Sequence, residues 1–294
     1  MSKKGYLLAV LGVLVLVAGV LILGACTGAQ GTQGPQGERG PQGERGLQGS
    51  PGTTPSQAEL KALIAEVLRG TPSTVAAIAR GGRLYDNWVE ETKATAPASN
   101  QPLWALQTTN ARTGIDTWRC KECHGWDYKG KGGAYSKGSH YTGFVGVYDA
   151  GTSKSQEQLL GILKGATNAR HDFSQVLDEQ SLNELAAFLS QGLINETAYI
   201  DYATKKPIGG TATNGAQLYS GVCAACHGAD GKQINFGSAE EPEYVGTVAA
   251  DNPWEFLNKV RYGQPGTTMP SGLVSGWNLQ NVMDVLAYAQ TLSQ

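Results

Sequence analysis

Two five-residue stretches carry the residue types that build a cofactor site: Cys120-Lys121-Glu122-Cys123-His124 and Cys223-Ala224-Ala225-Cys226-His227. A pair of thiols three positions apart, followed at once by histidine, is the attachment pattern of a c-type haem. The sulfurs add to the porphyrin vinyl groups and the imidazole turns back onto the iron. Other uses of a C-x-x-C pair need a thioredoxin-like βαβ setting or a second dyad close in sequence, and neither is visible. One zinc site split between the dyads is the alternative. The motifs predict two covalently bound c-type haems, with Cys120, Cys123, Cys223 and Cys226 as thioether residues and His124 and His227 as iron ligands.

The far side of each iron is read from an internal repeat. After the first motif come Tyr141-Thr142-Gly143, an apolar stretch from Gln158 to Lys164, Gly165, His171 and a helix from Leu182. After the second come Tyr244-Val245-Gly246, Trp254 to Val260, Gly263, Met269 and a helix from Leu279. Each glycine precedes its candidate ligand by six residues, which sets His171 in the place of Met269. His140, aligned with Glu243, is the other candidate for the first iron, because no methionine lies between the motifs. Met269 precedes Pro270, which suits a stiff loop rather than a helix. Met283 falls on the apolar face of the last helix and reads as packing.

The elements that position these residues are helical. Leu182, Leu185, Ala186 and Leu189 fall on one face, as do Leu279, Val282, Leu286 and Leu292. Ser181 and Glu184 form a capping-box pattern at the start of the first of these helices. A helix from near Thr74 carries Gly81 through Trp88, and its Leu-Tyr pair returns in Gly215-Ala216-Gln217-Leu218-Tyr219. With these helices, both Cys-x-x-Cys-His motifs and the Val260-Arg261-Tyr262-Gly263…Met269-Pro270 loop, the chain resembles class I cytochromes c in tandem. The resemblance implies an all-α fold, two small domains each built around its haem, and a helix that leads into each motif and crosses the domain's last helix. The roughly thirty residues between Trp88 and Cys120 depart from that pattern and require an inserted loop or a replacement helix. Trp118, Trp126, Trp254 and Trp277 are expected at haem edges.

The N-terminus points out of the cytoplasm. Lys3 and Lys4 precede an uncharged apolar run from Tyr6 to Ala25, fit for a secretory signal or a membrane span. Leu23-Gly24-Ala25-Cys26 resembles the lipobox of bacterial lipoproteins, which implies cleavage and lipidation at Cys26; an uncleaved helix is the alternative. Glycine then falls at every third position from Gly28 to Gly52, the collagen period. With only three prolines in residues 28–51, a homotrimeric stalk and a single-chain tether are both open. Leu60, Leu63, Ile64, Val67 and Leu68 mark a short amphipathic helix. The expected divisions are 1–25 signal or anchor, 26–58 Gly-x-y segment, 59–73 amphipathic helix, 74–194 first haem domain, 195–211 linker and 212–294 second haem domain.

Charged residues make up 16% of the chain and net charge is −2, which offers no nucleic-acid surface. The reading is therefore a membrane-tethered, extracytoplasmic electron carrier that docks transiently with redox partner proteins. Histidine on both faces makes the first iron the lower-potential centre, and methionine raises the second. The rival is a dihaem enzyme with a catalytic first haem, because the architecture also resembles thiosulfate dehydrogenases and bacterial cytochrome c peroxidases. No cysteine is spare for the iron-bound thiolate that a thiosulfate dehydrogenase of the usual kind would need.

Overall fold

A computed structural model describes residues 74–294; the apolar run, Cys26, the Gly-x-y segment and the 59–73 helix lie outside the described residues. The first half opens with α1, Val75–Thr92, whose N-cap Thr74 accepts a hydrogen bond from the Ala77 N–H. Asn87 breaks the helix at φ −153° and recaps it, its side chain accepting from the Glu90 N–H. There follow α2, Cys120–His124; α3, Tyr148–Ser153; α4, Gln156–Leu163; and α5, Glu179–Ala187, which widens into a turn at Phe188–Gly192. The second half holds α6, Ala212–Leu218; α7, Ala224–His227; α8, Val245–Asp251; α9, Pro253–Tyr262; and α10, Leu279–Ala289. The only ladder among the described residues is a two-residue antiparallel pair, β1 Ile200–Asp201 with β2 Lys206–Pro207.

In each half the first helix crosses the last at a glycine, for a steric reason. A β carbon on Gly81 would stand 2.2 Å from the Glu184 carbonyl oxygen, and one on Gly215 only 1.9 Å from that of Asp284. Such an approach brings two helix backbones together where no side chain fits. Four residues on, Tyr85 donates a hydrogen bond to the Gly125 carbonyl, and Tyr219 does the same to that of Gly228. These are the glycines that end the two Cys-x-x-Cys-His turns, at φ +77° and +78°. The same device therefore fastens each crossing to its motif. Gly215→Ala is expected to lower stability by about 3 kcal/mol, the upper end of overpacking costs, because the obstructing atom is backbone. Urea unfolding measures this, and a loss under about 0.5 kcal/mol would contradict it.

Three local expectations change. The N-cap of α5 is Asp178, which accepts from the Ser181 N–H at 2.7 Å, while Ser181 is buried inside the helix. An aspartate three residues upstream competes for the same cap and holds it. The register of the repeat between motif and fourth helix also shifts. Val147 N–H donates to the Tyr128 carbonyl as Val245 N–H does to that of Gly231, each acceptor four residues past its motif histidine. Gly146, rather than Tyr141, therefore matches Tyr244, and the first half's loop is five residues longer. Residues 195–211, expected as a linker, fold against the body: Ile200 and Glu196 are fully buried, and Gln290 donates to the Lys205 carbonyl.

Residues 93–119 form the inserted loop, with short turns at Trp104–Leu106 and Gly114–Trp118. It is tied down by Trp88 donating to the Trp118 carbonyl and by Trp118 donating to that of Ser99. The two halves meet across α1 and α9. Asp86, 1% exposed, pairs with Arg119 at 2.7 Å and also with Lys259 from the second half, and the Tyr262 ring lies over Gly82.

Candidate haem sites

The first motif occupies α2, entered through the extended Arg119 and left through Gly125 in the left-handed region. One helical turn places Cys120, Cys123 and His124 along a cavity of about 300 Å³, a size found for cofactor and small-molecule sites. Its walls are mainly apolar, including Trp118, Leu163, Phe173 and Leu185, and His171 reaches in from the loop after α4. The His124 and His171 ring centres stand 6.1 Å apart with their planes at 74°. Histidine nitrogens bind metals at ~2 Å, so two imidazoles on opposite sides of one metal ion have centres roughly 6 Å apart.

The protonation of both rings follows from their neighbours. His124 Nδ1 lies 2.7 Å from the Val145 carbonyl oxygen and His171 Nδ1 lies 3.4 Å from that of Ile162. A carbonyl only accepts, so each Nδ1 carries the proton and each Nε2 keeps its lone pair. Burial, with His171 alongside, brings the His124 imidazole down to about 4, and burial lowers His171 as well. Burial pushes the Cys120 and Cys123 thiols up to about 12. The donor set, the cavity and the free nitrogens fit a c-type haem.

His140 is elsewhere. Its ring stacks on Tyr135 at 4.4 Å, its Nδ1 is 3.5 Å from Glu122 Oε2, and Arg112 reaches its Nε2 at 3.3 Å. Glu122 and Lys121, the two variable residues of the motif, are themselves buried and paired with one another. Burial opposes charge on Glu122, but the nearby His140 and the Lys121 ammonium prevail and hold its carboxyl at about 2. This charged underside of the motif was not anticipated. Of the tryptophans, Trp118 lines the cavity, whereas Trp126 packs under Lys121 and Lys259 and Trp254 against Tyr202.

The second set is more open. Cys223 and His227 are half-buried and Cys226 is exposed. Burial raises the Cys223 thiol to about 11, with Cys226 adding to it. His227 Nδ1 is buried without a partner. The carbonyl that would match Val145 is that of Glu243, and it accepts from the Phe236 N–H at 2.8 Å instead. Met269 is half-buried on the loop between α9 and α10, and its N–H donates to Thr267 Oγ1. Met283 is 1% exposed in the core, as packing requires. No cluster of three or more His, Cys, Asp or Glu among the described residues is arranged to hold a metal ion, so the two dyads do not converge on one zinc site.

Comparison with known proteins supports a c-type cytochrome. Residues 210–288 match the family described as Cytochrome C oxidase, cbb3-type, subunit III, a stretch that takes in Cys223–His227, Met269 and nearly all of α10. A cytochrome c domain there implies covalently bound c-type haem, electron transfer and redox partner proteins in general. No curated protein and no solved structure matches the chain.

Proposed function

We propose that the chain is an extracytoplasmic dihaem cytochrome c, tethered to a membrane through Cys26 or the N-terminal helix, that passes electrons between transiently docked partners. Its two cytochrome c domains span 74–194 and 212–294. The first haem is held by Cys120 and Cys123, with His124 and His171 on its iron; the second is held by Cys223 and Cys226, with His227 and Met269. The observation that carries this reading is the His124–His171 pair, 6.1 Å apart across one cavity that both motif thiols line.

Bound haem supplies a one-electron iron couple, and the chain's own residues set its conditions. The Val145 and Ile162 carbonyls fix the tautomers of their histidines and raise the basicity of the free nitrogens. The apolar walls lower the polarity around the first site. His124 with His171 would favour the ferric state of a haem held there, and His227 with Met269 the ferrous state, so electrons would pass from the first half to the second. No helix among the described residues is long and apolar enough to cross a membrane. Tethering, and any trimer formed by the Gly-x-y segment, therefore rests on residues 1–52.

Haem quantitation on the purified full chain, joined to an optical redox titration, tests the reading. Two equivalents of covalent haem and two resolved waves are expected. A single equivalent would end the dihaem assignment.

A further inference from the structure

The loop that carries Met269 hangs from the opposite half of the molecule. It leaves α9 at Gly263 and turns at Gly266, both in the left-handed region at φ +92° and +66°. At Gly266 the backbone presses on α1 so closely that a β carbon would fall 2.4 Å from the Glu90 carbonyl oxygen. One ion pair on α1 grips the loop at two points. Arg83 and Glu91 form a two-pronged pair, Nε to Oε2 at 2.9 Å and Nη2 to Oε1 at 3.0 Å. The remaining Arg83 nitrogen, Nη1, donates to the Tyr262 carbonyl at 3.0 Å, and Glu91 Oε2 accepts from the Gly266 N–H at 3.2 Å. Arg80 lies 3.4 Å from the other Glu91 oxygen, and the Glu91 side chain is only 8% exposed.

Before Met269 the loop's own bonds are local, from Thr267 to the Gln264 carbonyl and from the Met269 N–H to Thr267 Oγ1, and beyond Met269 it is tied back to α9. Ser271 Oγ donates to the Arg261 carbonyl at 2.7 Å, and the Gly272 N–H to that of Val260 at 2.9 Å. Between Tyr262 and Met269, α1 adds the long-range side-chain hydrogen bonds, through Arg83 and Glu91. Charge-assisted hydrogen bonds of this kind are the stronger ones, and the two-pronged form fixes direction as well as distance.

We propose that Arg83 and Glu91 are positioning residues for Met269: an ion pair in the first half holds the sulfur ligand of the second iron in place. The proposal rests on the assignment of Met269 as that ligand. It makes the second iron's coordination depend on a helix of the first domain, so the sulfur is released when α1 is displaced.

The test uses the full haem-loaded chain. In the ferric protein, imidazole competes with the thioether for the second iron, and the far-red absorption of sulfur-ligated haem reports the outcome. Glu91→Ala is expected to bind imidazole ~10-fold tighter at that haem, the factor that loss of one such anchor corresponds to. Arg83→Ala should do the same, Glu91→Gln should fall between, and Lys154→Ala, an exposed lysine at the end of α3, should match wild type. Wild-type imidazole affinity in both Glu91→Ala and Arg83→Ala, with Met269→Ala abolishing the far-red band, would overturn the clamp alone. A band that survives Met269→Ala would overturn the ligand assignment and the clamp with it.

Discussion

His171→Ala is expected, on the proposed dihaem reading, to turn the first haem from six-coordinate low-spin to a ferric form with a high-spin component that binds cyanide, while the second haem keeps its spectrum. The change is large because nothing else stands ready to replace the imidazole. His171 enters the cavity from a short turn, Ala169–His171, held by the Lys164–Asp172 bridge and by the Phe173 N–H donating to the Leu163 carbonyl. His140, the other candidate, is engaged with Tyr135, Glu122 and Arg112. His171→Met supplies the complementary test. A thioether is the weaker donor, so the first potential should rise on the order of 0.1 V, a fraction of the ~0.8 V that axial ligands span. EPR and potentiometry on both variants decide the matter. A His171→Ala protein that stays fully low-spin at its first haem would refute the assignment.

The second large effect concerns stability and lies away from both sites. Glu196 is wholly buried, neither of its carboxyl oxygens has a hydrogen-bond partner, and Asp127 is the charge that acts on it most. Burial and then Asp127 push the carboxyl well above its ordinary 4.5, with only partial relief from Lys129. Tyr128, Tyr202 and Tyr262 are the other titratable groups that feel it. Because the folded form keeps its proton after the unfolded form has lost it, stability is greatest below about pH 4.5 on this group's account. It falls as pH rises from there toward the folded value, by about 1.4 kcal/mol per pH unit. Glu196→Gln keeps the shape and removes the titrating proton, so it should remove this slope and gain on wild type as pH rises from 5 to 7. Urea unfolding at pH 5 and pH 7 measures it, and parallel pH profiles for the two proteins would contradict it.

What could be read from the chain was what its own spacing dictates. Gly165 and Gly263 stand equally far from His171 and Met269 because both end a helix whose following loop reaches toward a site. That count singles out His171, whose ring centre stands 6.1 Å from that of His124. The Leu-Tyr repeat after Gly81 and Gly215 carries part of the resemblance to class I cytochromes c, and that resemblance implied the two helix crossings. The matching of Tyr141 to Tyr244 failed because tyrosine identity is weaker than backbone register, which is set by hydrogen bonds to Tyr128 and Gly231. Ser181 was mistaken for a cap because Asp178 offered an equally short side chain three residues earlier. Burial of Lys121 and Glu122 was illegible, since their partners Arg112 and His140 arrive from the inserted loop and the long loop after Tyr128. Nothing local marked Glu196, which looks like any surface carboxylate in the run of sequence.

The stretch between the halves is a strap rather than a hinge. Its short antiparallel pair, the buried Ile200 and the Gln290 bond to Lys205 fasten it along the second half, and Lys205 Nζ donates to the Asp251 carbonyl. On the dihaem reading proposed above, two redox centres joined this way would keep a fixed separation, so exchange between them would be governed by tunnelling distance and driving force. Solvent friction has no swinging lobe to act on, and the internal transfer rate should be indifferent to viscosity even where encounter with outside partners slows.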